Sequence, residues 1–504
     1  MTSVSADRQQ RLLAVGPGPR SHPPFQVVEA ASGLCRLLWL IDESLPGNAV
    51  TTRLLTRFGT VVDVAGMSPE EISSLLRAHR PDGVLAFRDE DIVLLALVAA
   101  DLGLDYHPPE VGRRLVDKLL QREALRDAEL PSPLFWKVPA ERDPAADAAF
   151  AATVTNPAVL KPRRASGSRY AMPVADAGDL VGSLALLPPE AGGETGMPVG
   201  QHLPGLLTGP TDRFADFLSV ESLVVEGEIR HVALNGRFPL AEPFRETGTF
   251  IPAEPAPAQQ TAVREVGPAA LGAIGVRTGT FHTEIKLTAN APRVIEVNGR
   301  IGGAVPEVLF RASGVSLFEL AVHVALGEPV LVDGLIPCAK VGWRLMFQLP
   351  TSARRVVSVE GLDRLAGLAG VSSVFLNRLP GDAVDWEPAT TSARSPGSPR
   401  ATIFSRSIVS STSKCRSSAN EHRHGGGVGG RACPTGGGQA GESDRKGVLS
   451  RGRATAGPQA ARLTAGVPSF RPPARPLLRS SDLTVTFVTD RISIPSTRVG
   501  GAAR

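Results

Sequence analysis

Residues 294–307 read VIEVNGRIGGAVPE. Val294, Ile295, Val297 and Ile301 are apolar and give the first half a strand-like pattern. Glu296, Asn298 and Arg300 fall on one parity and therefore share a face. Burying a carboxylate, an amide and a guanidinium side by side costs about 2–7 kcal/mol per unpaired polar group, so this face requires a partner. Upstream, FHTEIKL (281–287) is a second strand pattern, and Ala289-Asn290-Ala291-Pro292 is a turn signal between the two. A hairpin centred on Asn290 sets Glu284 directly opposite Glu296, about 5 Å away. Two facing carboxylates with Asn298 beside them make an oxygen-rich cluster. A hard cation such as Mg²⁺ takes such ligands together with substrate phosphates. A solvated sheet face with ordinary charges would carry the same residues.

Outward from this hairpin, short strands and helices alternate. LCRLLWLID (34–42), Thr60–Val64 and Asp82–Phe87 read as strands. Val50–Phe58, Pro69–Ala78 with Ser68 as N-cap, and Asp89–Leu102 read as helices. This rhythm predicts an N-terminal α/β domain with a parallel sheet over 34–110. A helix over Leu115–Ala128 leads out of it. Residues 111–330 mix hairpin-like strands with helices at 261–274 and 314–326, which predicts an α+β domain. Residues 331–388 form a small C-terminal subdomain with a helix in VSVEGLDRLAGLAG. Residues 1–33 are polar and Pro-rich and are expected to be a disordered leader.

After Trp386 the apolar periodicity stops. Runs such as HGGGVGG, PTGGGQAG and RPPARP cannot supply a core face. Residues 389–504 carry 18 Lys and Arg against 5 Asp and Glu, whereas 1–388 carry 36 against 45. The tail is expected to be disordered or a frameshifted extension, removable without loss of stability. Its charge would favour salt-dependent nucleic-acid binding, but no aromatic interleaving or folded module supports that function. The 4 cysteines form no CxxC pair, which argues against a disulfide framework or a structural zinc site. The first thirty residues lack a continuous apolar stretch. The longest apolar run, Ile92–Ala100, is bracketed by Asp91 and Asp101. A cytoplasmic protein with no membrane segment is expected.

A second chemical signal is VLKPRRASGSRYAMPV (159–174). An apolar strand delivers Lys161, and a small-residue loop follows at Ser166-Gly167-Ser168. Such a loop lets backbone N–H groups approach phosphate oxygens. The lysine precedes the loop, so this is not a GxxxxGKS motif; a plain basic turn would read similarly. Asp117-Lys118 heads a helix and would equally suit a solvated lysine.

In order, DKLLQREALRDAELPSP (117–133), VLKPRRASGS (159–168), FLSVESLVVEG (217–227), FRETGTFIPA (244–253), FHTEIKLT (281–288) and IEVNGRIGG (295–303) resemble the ATP-grasp superfamily. Within it they resemble the carboxylate–amine ligases related to bacterial L-amino-acid ligases. The resemblance spans residues 34–388. It implies that ATP is clamped between two α+β subdomains. Lys118 and Lys161 would hold its phosphates, with Ser166, Gly167 and Ser168 above them. The adenine hinge would lie at 199–203, with Gln201 and Leu203 near the base. The family commonly has an acidic pair there, and Gly200-Gln201 departs from it. Glu221 would lie near the nucleotide. Glu284, Glu296 and Asn298 would bind Mg²⁺, usually two ions, with Mn²⁺ as a substitute.

The same resemblance places Arg300 on the transferring phosphate, and Gly302 and Gly303 as backbone donors to an oxyanion. Glu246, Thr249 and Ala304 would line the amino-substrate pocket, where relatives often have a histidine for Thr249 and a bulkier residue for Ala304. The implied reaction is ATP-dependent joining of a carboxylate, an amino acid in the leading case, to an amine through an acyl phosphate. ADP and phosphate are released. Another ATP-grasp ligase or carboxylase is the alternative. The family admits a homodimer.

Overall fold

The computed structural model describes residues 11–16, 24–45, 48–139, 142–165, 167–168, 170–186, 198–201, 214–351, 353–368, 370–376, 379–384, 401–405, 484–489 and 497–498. The first sheet contains β1 (Leu12–Val15), β2 (Arg36–Ile41), β3 (Thr60–Asp63) and β4 (Gly83–Leu85), in the order β3-β2-β1-β4. All its pairings are parallel. Its crossovers carry α1 (Pro24–Ala31), α2 (Asn48–Leu55) and α3 (Pro69–His79), and α4 (Asp89–Leu102) follows β4. Leu13 and Val15 pack into one apolar cluster, Leu12 and Ala14 into another. Both faces of the sheet are therefore covered, as parallel sheets require.

This corrects the expectation of a disordered leader for residues 11–16 and 24–33, the rest of 1–33 being outside the described residues. β1 is an interior strand, and α1 follows it. Four consecutive apolar residues sufficed because β2 and β4 were waiting on either side to pair with them. α3 is N-capped by Ser68 as expected, and the cap is a full capping box. Glu71 N–H donates to Ser68 Oγ at 3.3 Å, and Glu71 Oε2 accepts from Ser68 N–H at 2.7 Å. α4 carries Asp89, Glu90 and Asp91 in its first turn and stops at Gly103, whose φ is 67°.

The helix expected over Leu115–Ala128 is two helices, α5 (Pro109–Val116) and α6 (Lys118–Asp127). Asp117 breaks them: its backbone is extended, and its side chain accepts from Leu119 N and Leu120 N. A small antiparallel sheet follows, ordered β5-β8-β6-β7, with β5 (Phe135–Lys137), β6 (Ala158–Leu160), β7 (Met172–Val174) and β8 (Pro198–Gln201). α7 (Pro144–Ala151) and α8 (Ala177–Ala185) contribute Ala151, Leu180 and Leu184 to its own apolar core.

The largest sheet begins β13-β12-β9-β10-β11-β14. Its strands are β9 (Phe217–Val225), β10 (Glu228–Arg237), β11 (Gly248–Ile251), β12 (Gly279–Lys286), β13 (Arg293–Asn298) and β14 (Gly342–Phe347). α9 (Pro257–Ile274) packs Ala270, Leu271 and Ile274 into the cluster that also holds Leu12 and Ala14. The helix expected over 314–326 is the shorter α11 (Leu317–Ala325), preceded by α10 (Val305–Ser313) with Gly314 as its left-handed cap. No single helix among the described residues is long and apolar enough to cross a membrane.

The terminal part contains β15 (Ala353–Glu360), α12 (Leu362–Ala366) and β16 (Val371–Phe375). Of the helix expected in VSVEGLDRLAGLAG, only Leu362–Ala366 is helical, and the leading Val357–Glu360 is the end of β15. Three short strands lie within the stretch expected to be unstructured: β17 (Ala401–Ser405), β18 (Thr484–Thr489) and β19 (Thr497–Arg498). β17 lies between β14 and β16, and β18 pairs with β15. The rest of 389–504 is outside the described residues.

Candidate active site

The β12–β13 hairpin has the expected register at its centre: His282 opposes Asn298, Thr283 opposes Val297, and Glu284 opposes Glu296. One step further the register slips, and Ile285 opposes Val294. Ile295 is the extra residue of a β-bulge. Val294 and Val297 differ in parity, yet both are fully buried in the same cluster. The bulge thus reverses the faces within two residues, burying the valines and leaving Glu296 toward Lys118, while Asn298 Nδ2 donates to His282 O at 3.2 Å.

Four groups close on these carboxylates. Lys118 Nζ lies 2.9 Å from Glu296 Oε1 and donates to Ala165 O at 2.6 Å. Arg237 Nη2 and His282 Nε2 lie 3.6 and 3.5 Å from Glu284 Oε1. Burial pushes the Lys161 ammonium down to about 8, against the pull of Glu296 and Glu284. Burial opposes ionisation of Glu284, but His282, Arg237 and Lys161 outweigh it and hold the carboxyl at about 2. Arg122 is lowered to about 10 by burial, with Glu296 opposing.

Behind this layer lies a buried polar chain. Glu221, 1% exposed, accepts from Ser219 Oγ at 2.9 Å and meets His282 Nδ1 at 2.7 Å. Burial disfavours the His282 cation, but Glu221 and Glu284 raise it to about 9. Arg237 Nη1 donates to Thr249 Oγ1 at 3.1 Å, and the Thr249 hydroxyl donates to Gly236 O at 2.9 Å. Thr249 is therefore 1% exposed and bonded beneath Arg237 rather than lining an open pocket. Glu246 is more open, its Oε1 3.9 Å from Arg237 Nη2.

Arg300, expected on a transferring phosphate, reaches the first turn of α4, where its Nη2 donates to Asp89 Oδ2 at 2.9 Å, and it also lies under the charges of Glu296 and Glu284. Burial weighs against the cation, but Asp89 outweighs it and holds Arg300 above its ordinary value. A Cβ on Gly302 would lie 2.5 Å from His282 Nδ1, so the glycine is demanded by the imidazole. Gly303 is exposed, with nothing within 4 Å of its Cβ position. Ala304 caps α10, half-buried.

Gly167 and Ser168 adopt left-handed conformations, with φ of 64° and 57°. Gln201 ends β8, its backbone opposite Ala158. Ser166 and Leu203 lie outside the described residues. Asp89, Gln121, Arg122, Arg237 and His282 were missed by the sequence reading. His282 was findable, since it shares the parity of Glu284 two residues on. The others reach the site from separate elements, and no local pattern marks them.

The donor set fits Mg²⁺ completed by phosphate oxygens rather than a cage of protein ligands. Among the described residues, no three His, Cys, Asp or Glu converge to hold a metal. Two facing carboxylates and an amide suit a cation that takes one or two carboxylates plus phosphates.

No family model matches the chain. An L-amino acid ligase from Bacillus licheniformis superposes with a TM-score of 0.62 over 80% of this chain and 95% of its own, at 20% identity. The chain has the ATP-grasp fold. An ATP-grasp structure of N5-carboxyaminoimidazole synthase from Aspergillus clavatus, in complex with ADP and 5-aminoimidazole ribonucleotide, has a TM-score of 0.57 over 78% and 93%, at 16% identity. Among curated proteins, carnosine synthase 1 is similar: 27% identical over 270 residues in Homo sapiens (51% of this chain, 32% of that protein) and 31% over 283 residues in Gallus gallus (52% and 29%). The ATP-grasp chain described here spans about a third of the length of these relatives.

Proposed function

We propose that the chain is an ATP-dependent carboxylate–amine ligase that joins an amino acid to an amine, releasing ADP and phosphate. The observation that carries this reading is the pair Glu284–Glu296, set face to face, with Lys118 on Glu296, Arg237 near Glu284, and Lys161 and Arg300 under the charges of both. Carboxylates facing each other repel, and these cations suit a site that gathers anions. A bound Mg²⁺ would supply charge neutralisation for a carboxylate meeting a phosphate.

The chain's own residues do the rest. Lys118 and Lys161 bind and orient the phosphates, and Glu284, Glu296 and Asn298 hold the cation. Arg300, steadied by Asp89, faces the group being transferred. The substrate carboxylate becomes an acyl phosphate, and the amine then displaces phosphate. Glu246, more open than its neighbours, is placed to meet the amine. The names of the relatives, an L-amino acid ligase and carnosine synthase, support an amino-acid substrate.

The test is amine-dependent ADP release across pairs of amino acids. A subset of pairs is expected to release ADP stoichiometrically with amide formed. Glu296→Gln should lower the rate about 10²–10³-fold in a folded protein. Parent-rate ADP release by a soluble Glu296→Gln variant would remove this residue from the metal site.

A further inference from the structure

Among the described residues β13 is the outermost strand of its sheet, and no described strand lies on its outer side. Side chains of α6 fill that side. Gln121 Nε2 donates to Val297 O at 2.8 Å, and Gln121 Oε1 accepts from Val297 N at 3.0 Å. These are the two bonds that a partner strand would make to one residue. The same Nε2 also donates to Leu115 O at 3.1 Å. Arg122 Nη1 donates to Val294 O at 2.6 Å, and its Nη2 donates to Ile295 O. Gln121 and Arg122 are 3% and 8% exposed, so the bonds are dry.

These contacts bracket one residue. Arg122 grips the two carbonyls before Glu296, including that of the bulged Ile295, and Gln121 grips both backbone groups after it. The first residue of the same helix, Lys118, meets the Glu296 carboxylate itself. Asp117, just ahead of it, accepts from Arg163 Nε at 2.9 Å, tying the helix to the segment after β6. A bulge re-aims a side chain, and here the side chains that hold its carbonyls come from α6, with Pro131 O accepting from Val294 N at 3.2 Å beside them.

We infer that Gln121 and Arg122 are positioning residues for the cation ligands: by clamping the bulged edge of β13 they set the aim of Glu296 and Asn298. This inference rests on the ligase reading. Protein groups that orient ligands typically alter metal affinity by about 10–100-fold when removed. A role confined to covering a strand edge would alter stability alone.

The experiment uses the full chain with Mn²⁺ as the probe, followed by electron paramagnetic resonance in the presence of ADP. Gln121→Met keeps the volume and removes the hydrogen bonds. Gln121→Glu keeps the acceptor for Val297 N and removes both donations. Each is measured well below its own Tm, alongside ADP affinity without metal. Both variants are expected to weaken Mn²⁺ binding about 10–100-fold, Gln121→Met the more, with metal-free ADP affinity unchanged. Arg122→Lys, which keeps the charge but loses the forked grip, should behave likewise and serves if the Gln121 variants do not fold. A folded variant with lowered Tm and parental Mn²⁺ affinity overturns the inference. A parent chain that binds neither ADP nor Mn²⁺ overturns the ligase reading beneath it.

Discussion

Lys161 sits among charges of both signs, and burial decides the outcome by lowering its value from 10.5 to about 8. Between those two values the folded chain binds fewer protons here than the unfolded chain. This group's destabilising contribution is therefore full below about 8 and fades as pH rises toward 10.5. Phosphates favour the charged form. ATP binding above pH 8 should draw in a proton, and ATP affinity should fall as pH rises past 8, by up to about tenfold per unit. Calorimetry in two buffers of different ionisation enthalpy reads the uptake; affinity that is flat from neutral pH to well above 8 would remove Lys161 from the phosphate site. Gly302 offers a second test at this scale. Gly302→Ala must displace His282 or the backbone and should cost about 1–3 kcal/mol. Gly303→Ala meets nothing and should stay within about 0.5 kcal/mol. Equal melting temperatures for the two would refute the steric account.

At the scale of elements, the joint between α5 and α6 matters most. Asp117 is fully buried, caps α6 and holds Arg163 through Nε and Nη2. Asp117→Ala leaves a partly buried guanidinium without its carboxylate and should lower stability by about 3–5 kcal/mol. Asp117→Asn keeps a capping oxygen and should lose less. Denaturant titration orders them, and a smaller loss for alanine than for asparagine would refute this role. The hairpin register was legible in the sequence because a turn signal and two carboxylates agreed on it. The bulge at Ile295 was not, because the groups that bond its backbone, Gln121 and Arg122, lie more than 170 residues away in sequence. β1 was missed for a similar reason: four apolar residues in a Pro-rich stretch become a strand only when two partners flank them. Of the candidate site, the facing carboxylates were legible from local pattern, whereas Lys118 and Lys161 were assigned a role only through the ordered set of segments. Arg237 and Asp89 were not legible, since each enters from another element.

For the whole molecule, the described tail strands change one expectation. β17 runs between β14 and β16, with Leu345 opposite Ile403. Truncation after residue 388 removes that strand and uncovers the edge of β14, beside the cluster of Trp343, Val356 and Leu365. The melting temperature should fall, while metal-free ADP affinity stays parental. An unchanged melting temperature would show that β17 adds nothing and that the tail is dispensable. The Asp89–Arg300 pair acts at this scale too, since it joins the first helix turn after β4 to the segment after β13. The first hundred residues are thereby not an exchangeable cassette. A chimera that borrowed its first hundred residues from a relative would inherit a working site only if an acid came with them at that turn. Drift on one side of the pair is answerable to the other, although more than two hundred residues separate them along the chain.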